Sequence, residues 1–136
     1  HLVTTIYNAA GEAIASQDQL GYRTSFHYDG AGSRVAVENA RGYRTTSIYD
    51  PASQGVAQVD ALGNRWSQVY DALGRSAASE DPLGNRTTSI YDRRGLISAS
   101  VDALGYRTTF MYDGAGQQLA SEDALGRRVT SIYDPL

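Results

Sequence analysis

The chain has 136 residues, 41% hydrophobic and 10% aromatic, with 15 acidic against 12 basic side chains and a net charge of −3. That mild balance excludes the basic footprint of a nucleic-acid binder, and the absence of Cys excludes a disulfide framework or thiolate metal site. No stretch approaches the roughly 20 apolar residues of a membrane-spanning helix, and no signal-like segment is read, so no membrane insertion is expected.

From its start the chain reads in mid-strand, at His1-Leu2-Val3, and then reaches the first of seven tyrosines at an unbroken spacing of 21: Tyr7, Tyr28, Tyr49, Tyr70, Tyr91, Tyr112 and Tyr133. A fixed period of this size marks a repeat architecture. Directly after each Tyr, and again about ten residues on, comes an Asp or Asn: Asn8, Asp18, Asp29, Asn39, Asp50, Asp60, Asp71, Asp81, Asp92, Asp102, Asp113, Asp123 and Asp134. Three residues later stands a Gly, as at Gly21, Gly42, Gly63, Gly84, Gly105 and Gly126 in the second half of each repeat; Ser53 is the one exception. Asx at the first turn position accepts bonds from its own turn, Pro51, Pro82 and Pro135 occupy the next slot, and Gly suits the left-handed residue that closes a three-residue hairpin. Each unit is therefore read as a hairpin corner.

Between corners run segments rich in Thr, Ser, Val, Ile and Tyr, such as Arg34-Val35-Ala36-Val37-Glu38 and, further along, Arg86-Thr87-Thr88-Ser89-Ile90-Tyr91. Their composition and the even spacing of the corners predict twelve or thirteen short antiparallel strands and no ordinary helix. The expected fold is all-β: tandem 21-residue β-hairpin repeats forming a long coiled antiparallel strip, a spiral or solenoid-like sheet. Residues 1–136 read as one continuous array of about six repeats, excerpted from a longer repeat protein.

An Ala column, Ala15, Ala36, Ala57, Ala78, Ala99 and Ala120, is as regular as the Tyr column. A bulge-free hairpin at Asp29 puts Tyr28 across from Arg34 and Phe26 across from Ala36, so Tyr and Ala are expected to share a core face with Phe26, Trp66 and Phe110. An odd period then poses a parity problem, because side chains alternate with period two. Either one corner per repeat differs or one strand carries an extra bulge.

Candidate chemistry is thin. Eleven aspartates invite a metal array, but each sits in the turn slot, and one carboxylate per corner falls short of the six to eight oxygens calcium takes. No cofactor, metal site or catalytic residue is expected. The Arg column, Arg23, Arg44, Arg65, Arg86, Arg107 and Arg128, reads as a ladder of forks on carboxylates or corner carbonyls, with an anion or sugar-acid stripe as the sharper alternative. His27 stands in a column otherwise filled by Ile, Val and Met and reads as a tolerated substitution. Asn85-Arg86-Thr87 is an N-glycan sequon, so Asn85 could carry a glycan in a glycosylating cell.

Tyr70-Asp71-Ala72-Leu73-Gly74-Arg75 and Asp81-Pro82-Leu83-Gly84-Asn85-Arg86-Thr87-Thr88 resemble the RHS/YD repeat, a family of bacterial wall-associated and polymorphic-toxin proteins, insecticidal toxin complexes and animal teneurins. The resemblance covers the whole chain. It marks Tyr7, Tyr28, Tyr49, Tyr70, Tyr91, Tyr112, Tyr133, with Asp29, Asp50, Asp71, Asp92 and Asp113, as structural repeat positions. It implies a β-hairpin strip that spirals into a hollow shell, enclosing a C-terminal toxic domain in toxins and serving adhesion in teneurins. The chain shows no toxin domain, proline-rich core motif or autoproteolytic site, and its repeats are unusually regular, which suits open-ended continuation. The expectation is a non-catalytic, secreted or cell-surface module building a wall or filament through neighbouring repeats or self-association. The alternatives are a segment of a toxin shell and a carbohydrate-binding adhesion module.

Overall fold

The computed structural model describes residues 3–131; Tyr133 and the last corner at Asp134 lie outside them. Among the described residues there is no helix, and the strands follow one another in space in chain order. Packing divides the chain into two compact units, His1–Ser67 and Gln68–Leu136.

The first unit holds β1 (Thr4–Tyr7), β2 (Ala13–Gln17), β3 (Arg23–Tyr28), β4 (Arg34–Glu38), β5 (Arg44–Tyr49), β6 (Gly55–Val59) and the start of β7 (Arg65–Tyr70). The second holds the end of β7 and then β8 (Ser76–Glu80), β9 (Arg86–Tyr91), β10 (Ile97–Val101), β11 (Arg107–Tyr112), β12 (Gln118–Glu122) and β13 (Arg128–Thr130). Every pairing within either unit is an antiparallel hairpin.

All twelve described corners share one geometry. In each, the Asx N–H donates to the carbonyl four residues on, and the N–H of the third residue on donates back to the Asx carbonyl, as in Asp81 N to Asn85 O at 3.0 Å and Gly84 N to Asp81 O at 3.0 Å. This is the three-residue hairpin with a left-handed closing residue. At eleven corners that residue is Gly, with φ between 75° and 86°; at the remaining one Ser53 adopts φ 62°, where its Cβ is strained.

The corners being equivalent, the difference between the two halves of the repeat lies in the strands. Hairpins whose corner follows a repeat Tyr carry a bulge: Tyr28 faces Arg34, but His27 faces Ala36, and Val35 has no partner. The same skip passes over Ile14, Val56, Ser98 and Leu119 in the equivalent hairpins. The other hairpins, such as β4 with β5, run in unbroken register. One extra residue per repeat thus absorbs the odd member of 21, and within each unit alternation keeps the repeat tyrosines on one face.

The bulge overturns the expected pairing of Phe26 with Ala36: Phe26 faces Val37. Ala36 pairs with His27 on one side and Thr46 on the other, so it lies on the face opposite Tyr28. The tyrosine and alanine columns therefore do not share a face. Phe26 and Trp66 lie on the Tyr side, two and four residues from Tyr28 and Tyr70 along their strands. Among the described residues the buried core is the alanine column alone, Ala15, Ala36, Ala57, Ala78, Ala99 and Ala120, each 7% exposed or less. Within each unit a single sheet layer cannot enclose larger side chains, so the rings stay half-covered and Trp66 is 44% exposed. His27 Nε2, on the alanine face, is buried without a hydrogen-bond partner among the described residues.

Candidate functional site

The corner carboxylates are the densest chemistry in the chain, and their geometry shows what occupies them. At every described corner Oδ1 accepts two backbone bonds, from the residues two and four positions on, as in Leu83 N and Asn85 N to Asp81 Oδ1, both at 2.9 Å. Asp29, Asp50, Asp71, Asp92 and Asp113 all follow this rule. Oδ2 takes a side-chain donor at several corners: Asn64 at Asp60, Arg75 at Asp71, Asn85 at Asp81, Arg94 at Asp92 and Arg127 at Asp123.

These donors favour the charged form and hold the five carboxyls below the ordinary carboxylate range. The chief cause is the side-chain bond from Asn64, Arg75 and Asn85 at Asp60, Asp71 and Asp81. At Asp92 and Asp123 it is the backbone bond from Leu96 and Arg127. Among the described residues no three Asp, Glu, His or Cys side chains converge as a metal site would require.

The repeat tyrosines act as stitches between successive hairpins. Tyr28 OH donates to Ala13 O at 2.9 Å, Tyr49 to Arg34 O at 3.3 Å, Tyr91 to Ser76 O at 2.8 Å and Tyr112 to Ile97 O at 2.8 Å. The offset is 15 residues each time, and the acceptor is the first residue of a strand, beside its bulge. Ala13 and Arg34 are themselves the partners of Tyr7 and Tyr28, and Ile97 is the partner of Tyr91. These four bonds fasten a hairpin, beside its corner, to the one before it. Arg75 adds a second fastening, bound to Asp71 and lying 4.1 Å over the Tyr91 ring.

The Arg column lies on the alanine face, and all six members are exposed. Cross-strand partners alternate: Glu38, Glu80 and Glu122 face Arg44, Arg86 and Arg128, while Gln17, Val59 and Val101 face Arg23, Arg65 and Arg107. One of the six makes an ion pair among the described residues, Arg86 with Glu80 at 3.8 Å; such exposed pairs contribute little. Asn85 is exposed, and its Nδ2 donates to Asp81 Oδ2 at 2.7 Å, so a glycan there would be attached at a corner-bracing atom.

Sequence reasoning missed three aromatic residues. Tyr22, Tyr43 and Tyr106 follow the second corner of their repeats and are 61%, 54% and 56% exposed. Beside them Leu20, Leu62, Leu83, Leu104 and Leu125 project from the same class of corner, each at least 74% exposed. The signal available was their position, one residue before the Arg column, but it lacks an unbroken period.

A chain of tandem hairpins with one geometry at every corner defines a β-hairpin repeat protein. Residues 91–128 match the family described as RHS Repeat. That match falls within an array whose corner geometry is shared by all the described corners, and the matched segment is similar to the RHS repeat. No curated protein matches the sequence. Among solved structures, the fold is similar to that of a chain in a mutant Tc holotoxin pore of Photorhabdus luminescens, with a TM-score of 0.62, 12% identity and 94% of this chain covered. It is also similar to TcdB2-TccC3 lacking its hypervariable C-terminal region, with a TM-score of 0.53, 14% identity and 93% covered. The chain spans 9% of the length of each.

Proposed function

We propose that this chain is a non-catalytic wall segment of a secreted RHS shell, a stretch of hairpin strip that coils around an enclosed cargo. The observation that carries this reading is the fate of the recurring polar groups. Twelve corner Asx side chains turn their Oδ1 onto their own backbone, and four repeat tyrosines spend their hydroxyls on the preceding hairpin. Groups committed in this way build a strip. The Tc toxin assemblies named for the two structural neighbours favour a shell over a fibre.

An open-ended filament is the second reading, favoured by the shared hydrogen-bond geometry of all twelve described corners, since units added with constant rotation and rise need not close. Electron microscopy of the native material containing this chain separates the two. Discrete hollow particles with internal density support the shell; long fibres with a repeat tied to the 21-residue unit contradict it.

A further inference from the structure

We propose that the second unit pairs with a second copy of this chain along one edge of its strip, where corners tipped by leucine interlock. The corners at Asp81, Asp102 and Asp123 join β8 to β9, β10 to β11 and β12 to β13, so all three lie on that edge. Their tips carry Leu83, Leu104 and Leu125, exposed by 87%, 81% and 74%. Successive tips stand two strands apart, about 10 Å. Between the last two opens a cleft of about 280 Å³, lined by Tyr106, Thr108, Asp123, Ala124, Leu125 and Arg127. A cavity of roughly 150 Å³ admits a benzene-sized group, so this cleft has room for a leucine side chain.

The opposite edge of the same unit is closed by its own side chains. Arg75, bound to Asp71, lies 4.1 Å over the Tyr91 ring beside the next corner. Arg94 donates to Asp113 O at 2.6 Å, and Leu96 Cδ1 lies 3.7 Å from the place a Cβ on Gly116 would take. Among the described residues no hydrogen bond or ion pair joins the corners at Asp81, Asp102 and Asp123 to one another. One edge is sealed, and the other is left as apolar tips with gaps between them.

An occupant that fills a row of tips and gaps must share their spacing, and the repeat itself has that spacing. Two copies facing each other antiparallel, shifted by half a corner spacing, place Leu104 of each in the cleft of the other. The same shift sets Leu125 of each between the Leu83 and Leu104 corners of the other. It also brings Arg127, 76% exposed, beside Asp81 and Asp102 of the facing copy, neither of which has an ion pair among the described residues. The contact is isologous and closes at two copies. It differs from strand-to-strand continuation, because the corner N–H groups are already spent, as Leu104 N and Tyr106 N are on Asp102 Oδ1, both at 2.9 Å.

The first unit supplies a contrast. Its tips in the same slot read Leu20, Arg41 and Leu62, and Arg41 also lines its cleft. A cation at the middle tip would meet its own symmetry mate, so this unit is not expected to pair. Three corners bury less than the ~800 Å² per partner of a stable complex. The second unit therefore pairs weakly, with a Kd of about 0.1–1 mM, and each further corner engaged adds avidity. The inference does not depend on the choice between shell and fibre.

The test is sedimentation velocity of the whole chain from about 10 µM to about 1 mM, a range that brackets this Kd. A monomer–dimer equilibrium is expected. Leu104→Ser with Leu125→Ser should weaken it at least about tenfold, and Arg127→Glu about fivefold. Leu73→Ser should leave it unchanged, because Leu73 is 77% exposed but sits on the sealed edge. The chain has no cysteine, so single-cysteine variants report the contact directly: Leu104→Cys should form a disulfide-linked dimer on oxidation faster than Leu73→Cys. A monomer at the highest concentration, a dimer unmoved by the paired leucine variants or by Arg127→Glu, or equal cross-linking through Leu73→Cys would each overturn the proposal.

Discussion

The two hairpins of each repeat have the same corner and different strands. After the second corner the ladder runs unbroken, as from Glu38–Arg44 through Val37–Thr45 to Ala36–Thr46. After the Tyr corner it breaks one pair in, passing from Tyr28–Arg34 to His27–Ala36 over Val35. A straight hairpin transmits side-chain parity, and a bulged one corrects it. The comparison shows how an odd period can build a strip with two constant faces, one of stitched tyrosines and one of buried alanines.

Removing the corrector should have the largest effect. Deleting Val35 makes the β3–β4 hairpin straight and sends every later side chain of the first unit to the wrong face. A loss of roughly 3–5 kcal/mol, on the scale of a lost core side chain, is expected by chemical denaturation. If stability is unchanged, the bulge is not what sets the faces. Next comes the neighbouring pair of positions. Ala36, 2% exposed, should lose about 1–3 kcal/mol on replacement by Leu. Val35→Leu, at the bulge, should stay within about 0.5 kcal/mol.

The shared corner is tested by Gly84→Ala. No atom beyond its immediate chain neighbours lies within 4 Å of the added Cβ, so the expected cost of about 1–2 kcal/mol is that of φ +83° alone. Tyr91→Phe removes the bond to Ser76 and keeps the ring under Arg75; a loss of about 0.5–1 kcal/mol in thermal unfolding is expected, with none for Tyr43→Phe.

The smallest effect is acid sensitivity. The carboxyls of Asp60, Asp71, Asp81, Asp92 and Asp123 are held below the ordinary carboxylate value of 3.8 in the folded state by the hydrogen bonds they accept. Their contribution is therefore present above that value and lost as pH falls below it toward the folded-state values. The melting temperature should be flat from neutrality to about pH 5 and decline below about pH 4.

Much of this was legible in the sequence. The corners could be read because Asx-x-x-Gly chemistry is local, and the strands because little else fits between corners spaced ten or eleven residues apart. Parity demanded a bulge or an altered corner, but nothing local distinguishes Val35 from its strand neighbours. Assuming a straight ladder from Asp29 therefore set Phe26 against Ala36, one residue out of register. The preference of large rings for burial predicts a tyrosine core; within a one-layer unit only a methyl is small enough to be covered. The Tyr91–Ser76 bond spans 15 residues and depends on how hairpins lie side by side, so it left no mark in a local pattern. Tyr22 and Tyr106 escaped notice because their column is interrupted by Asn64 and Asn85.

The account rests on the bulge, and cross-strand NOEs in the isotope-labelled chain test it most directly. Contacts from His27 to Ala36 and from Phe26 to Val37, repeated as Ile48 to Ala57 and Ile90 to Ala99, are the predicted result. Contacts from Phe26 to Ala36, with their equivalents 21 residues on, would place tyrosine and alanine on one face and contradict it.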